Sequence, residues 1–142
     1  MAVISITRLR VRSWRYLPGF LFDAVRSARQ AANAPGNVAV KVLRDAHNSW
    51  WTSTCWDTEA SMRKFMITKP HGPAMRKLLE WCDEAALVHW SQPEAVLPAW
   101  DVAHRRLQSE GRASKVLHPS TDHLAFRIAP PTSGGRGEAR IK

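Results

Sequence analysis

His47, His71 and His89 lie in a stretch that also holds Trp50, Trp51, Trp56, Trp81 and Trp90. That is five of the chain's seven tryptophans and three of its six histidines. Imidazole is the side chain whose proton moves near neutral pH, and indole supplies a large rigid wall with one N–H donor. Together they describe an apolar pocket with a few polar groups, which is how small-molecule sites are built. His71 is the strongest candidate for chemistry. It sits in Pro70-His71-Gly72-Pro73, a stiff loop at a predicted helix start. The positive end of that helix disfavours the imidazolium. A neutral imidazole there can accept a proton or ligate iron. It can equally hydrogen-bond a loop carbonyl.

The other candidates lie on predicted strands, where successive side chains point to opposite faces. Trp50, Thr52, Thr54 and Trp56 then share one face, and Trp51, Ser53 and Cys55 share the other. The first face suits a flat or polyene-like ligand, with the threonine hydroxyls as weak donors. It suits a dimer interface as well, since tryptophan is enriched there. His89 and Trp90 are adjacent on a strand, so only one of them enters a given cavity. Arg44, with Arg8 on a nearby strand, can neutralise a substrate carboxylate or a haem propionate, or else pair with acids such as Asp45. His118 and His123 have a spacing seen at zinc sites, but no cysteine pair accompanies them, and no metal site is assigned. The chain has no GxGxxG, P-loop, GxSxG or HExxH motif.

The 142 residues are 44% hydrophobic, enough for a core and too many for a disordered chain. No apolar run is long enough for a membrane span. The arginines near the start follow the apolar residues rather than precede them, unlike a signal peptide, so a cytoplasmic location is expected. Cys55 and Cys82 then read as buried thiols. The net charge of +9 raises nucleic acid as a partner. The basic residues are scattered along the chain, however, which fits a solvated surface better.

These side chains must be positioned by elements whose pattern is visible. Residues 3–11 alternate as a strand. Pro18 opens a helix carrying Leu21, Ala24, Val25, Ala28 and Ala32 at helical spacing, and Pro35-Gly36 stops it. Residues 37–44 and 50–56 form a predicted hairpin around a polar turn at 45–49. Asp57 is the predicted N-cap of a second helix with Met62, Phe65 and Met66 inward, ended by Pro70. A third helix carries Met75, Leu78, Leu79 and Cys82, and residues 84–90 form a fourth strand. Pro98 starts an extra C-terminal helix with Trp100, Ala103 and Leu107, closed by Gly111. A short strand is predicted over 123–128. Residues 1–129 are read as one domain and 130–142 as a basic, disordered tail.

The order is β-α-β-β-α-β, the ferredoxin-like arrangement: an α+β fold with an antiparallel sheet and helices on one face. The other face must be covered. Bulky residues on both faces of the third strand point to a second sheet, most simply from another copy of the chain.

The strand ITRLRVRS, the segment VLRDAHNSWWTSTCW, the helix start DTEASMRKFM and the segment HGPAMRKLLEWCDEAALVHW resemble the dimeric α+β-barrel superfamily. Within it, the likeness is to uncharacterised bacterial proteins grouped with antibiotic-biosynthesis-type and spheroidene monooxygenases. It runs from about Ile4 to Trp90. It implies a homodimer packed sheet to sheet. It also implies a ligand between the sheet and the helices or at the sheet edge. The superfamily's activities include cofactor-free oxygenases and haem enzymes, so the cofactor is either none or haem. The reading is a small-molecule-binding protein, monooxygenase-like, acting on an apolar or aromatic substrate, with a non-catalytic ligand-binding or sensing dimer as the alternative. His71 is the expected base or iron ligand. Trp50, Thr52, Thr54, Trp56, His89, Trp90 and Arg44 are the expected substrate contacts.

Overall fold

Alternation of side chains along four strands builds both layers of the fold. The computed structural model describes residues 1–68, 71–132 and 136–142; the side chains of residues 71–75 lie outside the described set. Strand β1 (Ala2–Val11) leads through a single 3-10 turn (Trp14–Tyr16) into α1 (Leu17–Asn33). Then come β2 (Asn37–Arg44), β3 (Ser49–Trp56), α2 (Glu59–Ile67), α3 (His71–Trp81) and β4 (Cys82–Gln92). Beyond this α+β core lie α4 (Trp100–Glu110), β5 (Arg112–Ala113), α5 (Thr121–Leu124) and β6 (Glu138–Arg140). The strand order is β5-β4-β1-β3-β2-β6, and every pairing is antiparallel. The ferredoxin-like β-α-β-β-α-β core with an extra C-terminal helix is therefore present.

One face of the sheet is covered by α1, α2 and α3. It is closed at two places. At one, Val3, Val40 and Trp56 pack with Ala31 and Met62. At the other, Val11, Cys82 and Ala85 pack with Phe20, and Trp50, Leu78 and Trp81 lie against them. The helices reach these points by period: Phe20, Ala24, Ser27 and Ala31 fall on the inner side of α1. Gly36, at φ +86°, turns the chain from α1 into β2. A Cβ there would overlap Asp57 and Ser61.

The opposite face carries Ile4, Ile6, Ala39, Leu43, Trp51, Cys55, Ala86 and Val88, all buried. This is the face assigned above to a partner's sheet. It is covered by the same chain: Trp100, Ala103 and Leu107 of α4 join that cluster, with Phe126 and Ile128 packed against it. Trp51 meets Trp100 and His104 edge-on, each at 6.3 Å between centroids.

Three local expectations are corrected. The cap of α2 is Thr58 rather than Asp57. Thr58 is extended, and its Oγ1 accepts from the Ser61 N–H at 3.1 Å; the Asp57 N–H donates to the Gly36 carbonyl. Residues 123–128 are not a strand, because Ser120 Oγ accepts from the His123 N–H and starts α5. The tail is not wholly disordered. The open edge of β2 takes Glu138–Arg140 as a strand, and Glu138 accepts from the Trp100 indole at 2.7 Å. Thr58→Ala should cost about 1 kcal/mol, the usual loss for removing a cap, read from a urea melt.

Candidate functional site

Register lines up the side chains that face the helices. His89, Ser5, Thr54 and Val40 stand in one cross-strand row; Leu87, Thr7, Thr52 and Val42 stand in the next. Both rows run between the two closed clusters, with Val40 itself part of the first. Most of these residues keep partial exposure although helices lie above the sheet: Ser5, Thr7, Thr52, Leu87 and His89 are half-buried, while Thr54 and Val40 are buried. The result is a hydroxyl-rich strip of partly exposed sheet beneath the helices, here called the trough. Its ends are aromatic. At one, Trp56 stacks on Phe65 at 5.3 Å; at the other, Trp50 meets Phe20 at 5.6 Å. On the inner side of α1, between its two anchor points, stand the small half-buried residues Ser27 and Ala28.

His89 is the ionisable group on this floor. Its Nε2 lies 3.9 Å from Glu59 Oε1, at the start of α2. Glu59 Oε1 also accepts from Arg63 at 2.7 and 3.0 Å, and this hydrogen bond and charge hold the Glu59 carboxyl below the ordinary range.

The structure sorts the residues expected from sequence. Trp50, Thr52, Thr54, Trp56 and His89 share the trough face. Trp56 is fully buried, and its indole donates to Thr54 Oγ1 at 2.9 Å, so it forms a closed end rather than an open wall. Trp50 is half-buried, with its Nε1 unpartnered among the described residues. Arg44 lies at that end too, its guanidinium 5.6 Å over the Trp50 ring. Trp90 is on the other face, where its indole donates to Gln92 Oε1 and Arg106 lies over its ring at 4.7 Å. It does not join the trough. His71 is the first residue of α3, and its side chain lies outside the described residues.

Arg8 and Arg44 are not brought together, because register puts Arg8 on the α4 side. His118 and His123 are likewise separate in role. His118 Nε2 lies 3.4 Å from Glu80 Oε2, and His123 Nδ1 accepts from the Ala85 N–H at 3.3 Å. No cluster of three metal-ligating side chains occurs among the described residues. Cys55 and Cys82 are free and buried, and burial pushes the Cys82 thiol up to about 12, which leaves no thiolate nucleophile there. Ser5, Thr7, Leu87 and Glu59 were not singled out from sequence. Two hydroxyl residues alternating on the same face of β1 as Val3 and Leu9 were the available signal for Ser5 and Thr7.

Solved structures share this architecture. SnoaB, a cofactor-independent oxygenase from Streptomyces nogalater, superimposes with a TM-score of 0.52 at 21% identity, over 69% of this chain and 98% of SnoaB. Rv0793 from Mycobacterium tuberculosis gives 0.60 at 8% identity, over 66% and 97%. A candidate antibiotic-biosynthesis monooxygenase from Nitrosomonas europaea gives 0.58 at 15% identity, over 65% and 90%. This chain has their fold. No family model matches the sequence, and no curated protein matches it. The neighbours are matched over nearly their full lengths by about two thirds of this chain, a share close to the 92 residues that end with β4.

Proposed function

We propose that the protein is a monooxygenase-like enzyme that holds an apolar or aromatic substrate in the trough between the sheet and α1–α3. The observation that carries this reading is the His89–Ser5–Thr54 row, partly open between two closed aromatic clusters. Trp50 would lie along a flat substrate, and Ser5, Thr7 and Thr52 would hold its polar edge. His89, backed by Glu59, would remove a proton from an acidic O–H or C–H of the substrate. The electron-rich anion would then react with dioxygen: one oxygen atom stays on the substrate, replacing C–H by C=O, and the other leaves as water, the substrate itself supplying the four electrons. His71 remains a second candidate base by its place at the start of α3. Were a haem bound here, His89, or His71 by its place at the start of α3, would be the residue to hold its iron, and the haem would supply the activation of dioxygen.

Oxygen uptake with a panel of polycyclic phenols tests the reading. His89→Ala should lower the rate by about a hundredfold or more, the scale of a lost general base. Saturable quenching of tryptophan fluorescence by the same phenols, without oxygen uptake in any of them, would make the protein a ligand-binding module instead. A Soret band on haemin addition that vanishes in His89→Ala would replace the cofactor-free version.

A further inference from the structure

The outer side of α1 carries an apolar stripe left exposed among the described residues. Pro18, Leu21, Phe22 and Val25 follow i, i+3, i+4, i+7 spacing, and Trp14 precedes them in the 3-10 turn. Trp14 is 77% exposed, Phe22 62% and Val25 49%. The buried side of the same helix holds Phe20 and Ala31, so the stripe is not the core-facing one. Isolated exposed apolar residues are ordinary, but a contiguous stripe containing two aromatics marks a contact surface.

The exposed charged residues within 14–33 are all basic. Arg15, Arg26 and Arg29 are exposed, and the Arg26 guanidinium lies 5.3 Å over the Phe22 ring. Asp23 is the single acid in residues 1–44. It is turned away and bound to Lys77 at 3.1 Å, with 13% of its side chain exposed. Aromatic and aliphatic side chains rimmed by exposed arginines fit an anionic bilayer surface. The apolar residues enter the acyl boundary and the guanidiniums meet the phosphates. A second copy docking by the same stripe would bring like charges together. A nucleic-acid duplex would leave Leu21, Phe22 and Val25 without an apolar partner.

We propose that α1 docks this protein on membranes rich in anionic phospholipid, with Trp14, Phe22 and Val25 inserted and Arg15, Arg26 and Arg29 on the headgroups. The proposal does not depend on the chemistry of the trough.

Flotation of the full-length protein with extruded vesicles tests it. Binding is expected to phosphatidylcholine vesicles containing phosphatidylglycerol, weak or absent with phosphatidylcholine alone, and reduced by salt. Arg26→Gln and Arg29→Gln should each weaken it about fivefold. Phe22→Ser should remove most of it while leaving the circular dichroism spectrum and melting temperature close to wild type. The proposal is overturned if the wild type does not float with mixed vesicles, or if Phe22→Ser floats as well as wild type. It is equally overturned if light scattering shows a dimer that Phe22→Ser converts to monomer, or if duplex DNA binds with an affinity that Phe22→Ser leaves unchanged.

Discussion

Arg8→Met should destabilise the protein by about 3–5 kcal/mol, the loss seen when one partner of a buried ion pair is removed. Arg8 sits in the middle of β1 and is 4% exposed. Its Nη1 donates to Glu84 Oε1 at 2.7 Å, and its Nη2 donates to Ser49 Oγ at 3.1 Å. Glu84 is equally buried and accepts two further bonds, from Arg10 at 3.1 Å and from Ser120 Oγ at 2.7 Å. One carboxylate thus ties β1, β4 and the start of α5. Methionine fills the volume but leaves Glu84 inside with only Arg10 opposite. Burial alone would raise the Glu84 pKa. The bonds from Arg8 and Ser120 and the charges of Arg8 and Arg10 outweigh it and hold the carboxyl below its ordinary value. Ionised Glu84 therefore favours the fold. That contribution is complete above the ordinary carboxylate range and is lost as pH falls through the lowered value. The gap between wild type and Arg8→Met should accordingly narrow in acid. Neighbouring Asp83 acts in the opposite sense. Burial pushes its pKa up, so its ionisation opposes folding at neutral pH and the penalty is relieved as pH falls. Urea melts from neutral to acidic pH measure both effects. A loss of less than about 1 kcal/mol would make the pair no stronger than a surface one.

Arg8 shows why some of this was legible in the sequence and some was not. Its place on the Ile4–Ile6 side of β1 follows from the period of two. Its partner lies 76 residues away and depends on how β1 meets β4, which no local pattern specifies. The shared face of Trp50, Thr52, Thr54 and Trp56 was readable for the same reason that Trp90's separation from His89 was. Closure of Trp56 was not readable, because Phe65 had to be brought over it by α2. The stripe of Trp100, Ala103 and Leu107 identified α4 as a helix, but periodicity says which side of a helix is buried, not what buries it. Strand β6 is three exposed residues with no alternation of their own, formed by the edge they pair with. The trough's floor came from register, and register comes from the whole sheet.

Trp100→Ala should cost about 3–5 kcal/mol, the usual range for deleting a buried tryptophan. More is lost than apolar contact. The Trp100 indole donates to Glu138, which anchors β6, and Lys41 lies 4.6 Å over its ring while its Nζ donates to the Pro98 carbonyl. Removal therefore loosens α4, β6 and a half-committed cation together. What α4 covers sets a second consequence. Ile4, Ile6, Leu43 and Trp51 are each fully buried within one chain, so a sheet-to-sheet contact between copies requires α4 to leave. A chain ended after Gln92 would bare that whole face, and burial against a second copy would be its simplest relief. Light scattering should then find the shortened chain associated while the full chain does not associate through this face. Leu107→Asp, which places a charge at the fully buried contact of α4, should move the full chain in the same direction at a lower melting temperature. A full chain that is dimeric with Trp51 still shielded would show that copies meet elsewhere, and a shortened chain that stays folded and monomeric would show that the face does not need its cover.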